Sequence, residues 1–219
     1  MGIEIDLLKN YPKTKRNVKE RGADKTEEDR KIARKFGKEF FDGERKHGYG
    51  GFKYLPRFWQ PVIPRFQEHF NLSPKNSVLD VGCAKGFMMH DMAKLIPGIT
   101  VEGIDISEYA IENAFEDMKP YVNVGNAKKL IFEDNSFDVV ISINTVHNLE
   151  EDECGQALQE IERVARGKSF ITVDAYNDNE EKGAMLSWNL TGRTIMHVVQ
   201  WKKFFIEVGY TGDYYWFIP

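Results

Sequence analysis

Apolar residues recur at two different periods along this chain, and the change of period falls near residue 76. Before it, Ile32, Ala33, Phe36, Phe40 and Phe41 recur at intervals of three and four. That spacing predicts a helix over 26–41 with one apolar face, N-capped by Thr26 with Asp29 behind it. Trp59, Val62, Ile63, Phe66 and Phe70 share the face of a second helix over 56–70. Between the two, Gly48, Gly50 and Gly51 break the pattern and predict a tightly turning loop.

From residue 76 onward, strands alternate with helices. Residues 77–81 form a short apolar strand closed by glycine, and 87–96 are apolar at helical spacing up to Pro97-Gly98. A strand over 100–106 follows. Ser107 then caps a helix that carries Ala110, Ile111, Ala114, Phe115 and Met118. Further strands are predicted at 121–124, 137–143 and 169–173, with a helix over 154–166 before the last of them, ending at Gly167. A helix over 198–208, Gly209-Tyr210 and a strand over 213–218 complete the pattern. The alternation predicts an α/β fold with a doubly wound, mainly parallel sheet, in which ligands bind at the carboxyl ends of the strands.

Composition narrows this picture without redirecting it. The 219 residues, 42% hydrophobic and 29% charged, suit one large globular domain with an appendage, read here as an N-terminal helical and loop lid over 1–70 and a main domain over 71–219. No apolar run approaches the roughly 20 residues of a membrane span. The first residues carry no basic segment followed by an apolar one, so a cytoplasmic location is the expectation. Cys83 and Cys154 have no CxxC spacing, which points away from a disulfide framework or a structural zinc site. Net charge is −4 but uneven: residues 9–47 hold 14 Lys/Arg against 8 Asp/Glu, a local +6 that leaves −10 for the remainder. Such an arm can bind nucleic acid, meet an anionic substrate or face water.

The candidate chemistry lies just after the strands. Asp80-Val81-Gly82-Cys83-Ala84-Lys85-Gly86 is a strand end, a small-residue turn and a helix start. Glycine permits the sharp bend and close approach, and the helix N-terminus offers free N–H groups. Phe87 stands where a dinucleotide fingerprint requires its third glycine, which argues against NAD or FAD. The segment instead resembles the first motif of the class I S-adenosylmethionine-dependent methyltransferases, acidic-x-Gly-x-Gly-x-Gly, with Ala84 in place of the central glycine. Val101-Glu102-Gly103-Ile104-Asp105-Ile106-Ser107 resembles the second strand of that family, and Gly125-Asn126-Ala127 its Gly-Asp-Ala segment with Asn for Asp. Glu160-Ile161-Glu162-Arg163-Val164-Ala165-Arg166-Gly167 resembles the helix that leads into its fifth strand, so that the likeness spans 76–175.

The resemblance implies a Rossmann-like class I methyltransferase fold, S-adenosyl-L-methionine as cofactor, and a set of residues that hold it. These are Asp80, Gly82, Cys83, Ala84 and Gly86 in the first loop, and Asp105 with Ile106 at the ribose, where an acceptor-only carboxylate suits a diol. Asn126 and Ala127 fall at the adenine, and the backbone of Ile143 and Asn144 beside the methionine portion. Tyr54 and Arg57 would line the lid, an aromatic face for the sulfonium and a guanidinium for a carboxylate or phosphate. Asn144 lies at the catalytic end of the fourth strand. His147 is the candidate general base and Asp174, ending the neighbouring strand, its orienting carboxylate. Asp174, Asn177 and Asp178 supply oxygen atoms after the fifth strand, but acids there are more often caps, and no metal is expected. The family's seventh, antiparallel strand is missing or replaced.

The expected reaction is methyl transfer to an oxygen or nitrogen of a small anionic metabolite, such as a sugar nucleotide or a phosphorylated intermediate of surface-glycan or secondary metabolism. The chain could also form a homo-oligomer, and no membrane partner is expected. Two other readings compete. An RNA or protein methyltransferase would use Lys13, Lys15, Arg16, Lys19 and Arg21 as a phosphate-binding arm, which the acidic body disfavours. A non-catalytic cofactor-binding regulatory subunit would keep the cleft without the chemistry.

Overall fold

The computed structural model describes residues 2–12 and 25–218. Seven strands form one sheet. β1 (Ser77–Val81), β2 (Thr100–Asp105), β3 (Val122–Val124), β4 (Val139–Ile143) and β5 (Ser169–Tyr176) lie in the order β3-β2-β1-β4-β5, with every neighbouring pair parallel. β6 (Met196–His197) and β7 (Asp213–Phe217) both pair with the far edge of β5 and both are parallel to it. β5 runs on to Tyr176, beyond the predicted end, and its first seven residues are all buried. A strand buried along that length needs partners along it, and β7 and β6 divide its outer edge between them. The place beside β5 where an antiparallel strand was in question is therefore taken by β7, parallel, and Glu4 continues the sheet by a parallel bridge to Tyr214.

The helices are α1 (Glu27–Ala33), α2 (Lys38–Phe41), α3 (Pro56–Trp59), α4 (Ile63–Phe70), α5 (Phe87–Leu95), α6 (Glu108–Glu112), α7 (Glu151–Val164), α8 (Asn179–Trp188) and α9 (Val198–Val208). One apolar layer joins Ile63, Phe66 and Phe70 of α4 and Met88, Met89 and Met92 of α5 to one face of the sheet. The other joins Leu158 and Ile161 of α7 and Trp201 and Phe205 of α9 to the opposite face. The doubly wound expectation holds.

Several element boundaries differ from the periodicity. The predicted helix over 26–41 keeps its Thr26 cap, with Asp29 completing a capping box, but breaks after α1 where Phe36 takes φ 49° and Gly37 restarts the chain as α2. The predicted helix over 56–70 splits into α3 and α4, with Pro61 and Pro64 interrupting the amide donors between them. The helix after Ser107 stops at Glu112, and Met118 lies in a 3₁₀ turn containing Pro120.

The 1–70 segment is not one lid. Ile5 N–H donates to Tyr214 O and Tyr214 N–H to Ile3 O (3.0 and 3.1 Å), Leu7 is buried in the core, and α4 belongs to the sheet layer. Among the described residues of the segment, none over 25–54 belongs to either layer, while apolar side chains at both ends of the segment find the sheet. Among the described residues, no helix is long and apolar enough to cross a membrane.

Candidate active site at the carboxyl ends of the strands

The turn after β1 is built from three left-handed residues, Gly82 (φ 87°), Ala84 (φ 50°) and Gly86 (φ 74°). Gly82 N–H and Cys83 N–H both donate to Ile104 O, which folds the turn onto β2. A Cβ on Gly82 would lie 2.1 Å from Thr145 Oγ1, so only glycine lets this turn pass the end of β4. Ala84 departs from the family's glycine at a conformational cost of about 1–2 kcal/mol, and a hydrogen bond from its N–H to Asp105 Oδ2 (2.8 Å) holds it there. Gly86 precedes α5 without any side-chain cap, so the first N–H groups of α5 stay open for a ligand. Cys83 turns inward against Gly103, and its backbone is already engaged, the N–H with Ile104 O and the carbonyl with Gly86 N–H.

Two carboxylates lie beneath this turn. Asp105 accepts from Ser107 N–H on Oδ1 and from Ala84 N–H on Oδ2, both at 2.8 Å. Burial raises its pKa and the two amides oppose that rise. Asp80 is 5% exposed, and no donor among the described residues reaches its carboxyl group. Burial, with the charge of Asp105 added, pushes its pKa up to about 8. Below about pH 8 the ligand-free pair therefore keeps a proton on Asp80, which a cationic ligand would help to displace.

The ionisation of Asp80 has a measurable sign. The folded chain holds that proton to about pH 8 while the unfolded chain releases it near 3.8, so the folded state binds more protons across this window. Stability of the ligand-free protein should therefore fall as pH rises between those values and level off above them. Asp80→Asn is expected to flatten that decline, as read from urea midpoints at acidic and alkaline pH. Parallel curves for the two proteins would contradict it.

Of the other residues the resemblance assigns to the nucleoside, Ile106 is 53% exposed and Ala127 half-buried, both apolar. The amide oxygen of Asn126 accepts from Lys128 N–H at 3.0 Å, so it is already partly occupied. At the end of β4, Ile143 is half-buried and Asn144 is exposed, left-handed (φ 51°), and fixed by Thr172. Asn144 N–H donates to Thr172 Oγ1 (2.9 Å), whose own hydroxyl donates to Asn144 Oδ1 (2.7 Å), leaving the amide NH₂ free to donate. Asn148 Nδ2 donates to Asn144 O, and Asn148 Oδ1 is buried without a partner.

His147 and Asp174, the expected base and its orienting carboxylate, lie together through two contacts. The backbone N–H of Asp174 donates to His147 Nδ1 at 3.4 Å, and Nε2 lies 3.3 Å from Asp174 Oδ2. Both side chains are almost fully buried. Asn189 Nδ2 also donates to the Asp174 carboxylate, and His147 O accepts from Arg193 N–H and Thr194 N–H. With both nitrogens occupied by Asp174, the imidazole has none left to take a proton from an acceptor. It clamps the end of β4 to β5 and to the 189–194 loop. Asp178 N-caps α8, and Asn177 binds Glu181.

Tyr54 and Arg57 do not reach the cofactor loop. Tyr54 Oη donates to Asp91 Oδ1 on α5 at 2.6 Å with its ring among Phe87, His90 and Phe115, because the apolar flank of α5 captures it. Arg57 is exposed and lies over the Phe58 ring.

Most cations of residues 25–54 have partners within the protein. Lys25 Nζ donates to Trp188 O, and Arg30 donates to the carbonyls of Leu186, Ser187 and Asn189, which caps the C-terminus of α8. Lys31 and Lys46 lie beside Glu28 and Glu44, and Arg34 pairs with Glu27. Lys13, Lys15, Arg16, Lys19 and Arg21 lie outside the described residues. One buried charge escaped the sequence reading: Lys85, inside the glycine loop, is 7% exposed and its ammonium donates to Asp42. A lysine amid small residues was the available signal.

This geometry has counterparts. The YcgJ protein of Bacillus subtilis is 18% identical, with 67% of this chain and 66% of that one aligned at a TM-score of 0.55. The [4+2]-cyclase SpnF is 19% identical over 72% of this chain and 58% of its own, TM-score 0.56. These likenesses concern the fold alone, and the second shows it hosting a cyclase. Among curated proteins, the mitochondrial arginine-hydroxylase NDUFAF5 of Mus musculus is 34% identical over 70 residues, 32% of this chain and a fifth of that protein's length. A family model described as a methyltransferase domain matches residues 72–209, from the residues before β1 to the end of α9. The chain belongs to that methyltransferase-domain family and has the Rossmann-like fold of the class I S-adenosylmethionine-dependent enzymes.

Proposed function

We propose that this chain transfers a methyl group from S-adenosylmethionine to a nitrogen or oxygen of a small molecule. The observation that carries the reading is the Asp80–Asp105 pair beneath the left-handed turn: two carboxylates, one without any donor, under a loop that ends in uncapped helix N–H groups. That arrangement fits a ligand with a ribose diol, a positive charge and a carboxylate. Asp105 would hold the ribose hydroxyls, Ile106 and Ala127 would flank the adenine, and the start of α5 would meet the carboxylate. When bound, the cofactor supplies an electrophilic methyl group on a sulfonium.

The chain itself supplies position and exclusion of water more than proton transfer. Asn144 presents its free amide NH₂ at the end of β4, a donor suited to orienting a hydroxyl or amine. Because His147 offers no free nitrogen, the acceptor is best read as an amine arriving unprotonated or an oxygen already acidic. The spent cations of the lid make an anionic group on the acceptor a weaker part of the reading than the methyl transfer.

Calorimetric titration with S-adenosylmethionine and S-adenosylhomocysteine should give binding of both, and no binding of either would overturn the reading. Methyl-labelled cofactor incubated with separated small-molecule, RNA and protein fractions should label the first. Label recovered only in RNA or protein would reassign the acceptor.

A further inference from the structure

The turn that forms the candidate cofactor site is tied to the lid by a part-buried ion pair. Lys85 Nζ donates to Asp42 Oδ2 at 2.5 Å and to Phe52 O at 3.1 Å, and lies 5.7 Å from the centre of the Tyr109 ring. Asp42 is the hub of the contact. Its Oδ2 also accepts from Tyr109 Oη (2.7 Å) and its Oδ1 from Phe52 N–H (2.9 Å). Tyr109 belongs to α6, which begins three residues after Asp105, and Ser107 at the start of that helix donates its hydroxyl hydrogen to Phe36 O of the lid. The lid is thus fastened to both segments that would hold the nucleoside, and at the α8 end by Lys25 and Arg30.

We propose that Lys85 and Asp42 are positioning residues that latch the lid to the cofactor loop and set how long the cofactor and its product stay bound. The proposal rests on the methyltransferase reading of the site. Lys85 lies between Ala84 and Gly86, both left-handed, so its tether to the lid holds a strained turn in place from above while Asp105 holds it from below. Exchange of a ligand under residues 25–54 requires the lid to lift, and lifting it strips the buried ammonium of a carboxylate and a carbonyl at once. An opening with that barrier governs release more than chemistry. The apolar contacts of the lid, Phe52 stacked on Phe87 at 5.0 Å and Phe41 near Tyr109, remain when the ion pair is removed, so loss of the latch loosens the lid without unfolding the sheet.

The test is the dissociation rate of S-adenosylhomocysteine by stopped-flow displacement, with full-length wild type, Asp42→Asn, Lys85→Met, the double variant and Tyr109→Phe. Asp42→Asn should speed dissociation about tenfold, the effect of one lost charged hydrogen bond. Tyr109→Phe, which keeps the ion pair and removes a single hydroxyl, should speed it about threefold. The double variant should be no faster than the faster single variant, because the two side chains act as one unit. Amide exchange of the ligand-free proteins should rise over 36–54 in Asp42→Asn and stay unchanged in α7. Unchanged dissociation, or a fall in melting temperature without faster dissociation and lid exchange, would make the pair merely structural and overturn the latch. Absence of binding by the wild type would instead overturn the cofactor reading, and the residence-time role with it.

Discussion

Replacing Asp105 by alanine is expected to weaken S-adenosylmethionine binding by at least about a hundredfold while leaving the sheet folded. The carboxylate has two tasks. It anchors the turn after β1 through Ala84 N–H and starts α6 through Ser107 N–H, and on the proposed reading its remaining lone pairs receive the ribose hydroxyls. Charged hydrogen bonds contribute about 1.5–3 kcal/mol each, and every 1.4 kcal/mol is a factor of ten, so two lost ribose contacts alone account for the hundredfold. Freeing Ala84 adds to this, since nothing then opposes relaxation of its left-handed backbone. Asp105→Asn should also bind weakly, because the new NH₂ group must face one of two N–H donors. Calorimetry, with circular dichroism to confirm folding, reads both. Affinity within about threefold of wild type for the alanine variant would remove Asp105 from the site.

The second large effect is one of stability. His147→Ala should cost about 2–5 kcal/mol, the range for emptying a well-packed buried position, with a partner lost to the Asp174 carboxylate besides. The substitution leaves the Asp174 carboxylate with Asn189 as its remaining side-chain donor and opens a void between the end of β4 and β5. Denaturant unfolding would show the loss. Turnover per folded molecule, and its pH profile, should change little, because no imidazole nitrogen faces the cleft. A large drop in kcat with stability retained would restore the histidine as a base.

The parts of the site legible in the sequence are those fixed by short-range geometry. Gly82 and Gly86 announce a turn that needs left-handed backbone, and Asp105 at the end of an apolar strand is aimed by β2 itself. The strand and helix alternation is equally local. What escaped depends on contacts between distant segments. The spacing of Ile32, Phe36 and Phe40 is helical, yet Phe36 is left-handed and its carbonyl is bonded by Ser107, 71 positions away. Tyr54 looks like a lid aromatic until the buried Asp91 claims its hydroxyl. The pattern around His147 gives no sign that the backbone N–H of Asp174, 27 positions on, will occupy Nδ1. The basic excess of the lid likewise hides that Lys25 and Arg30 serve the carbonyls of a helix more than 150 positions away.

The sheet edge completed by the first residues also sets an order of assembly. Ile3 N–H donates to Asp213, 210 positions further along the chain, and the pairing with Tyr214 has the same span. At about 5–20 residues per second, a ribosome needs on the order of ten seconds or more between making the two partners. During that interval β1 to β4, the glycine turn and Asp105 can already be in place, while Ile3, Ile5 and Leu7 have no edge to join. Residues 25–54 are strung between that late-docking end and α4, so the turn takes shape on the nascent chain before that segment is secured at both ends.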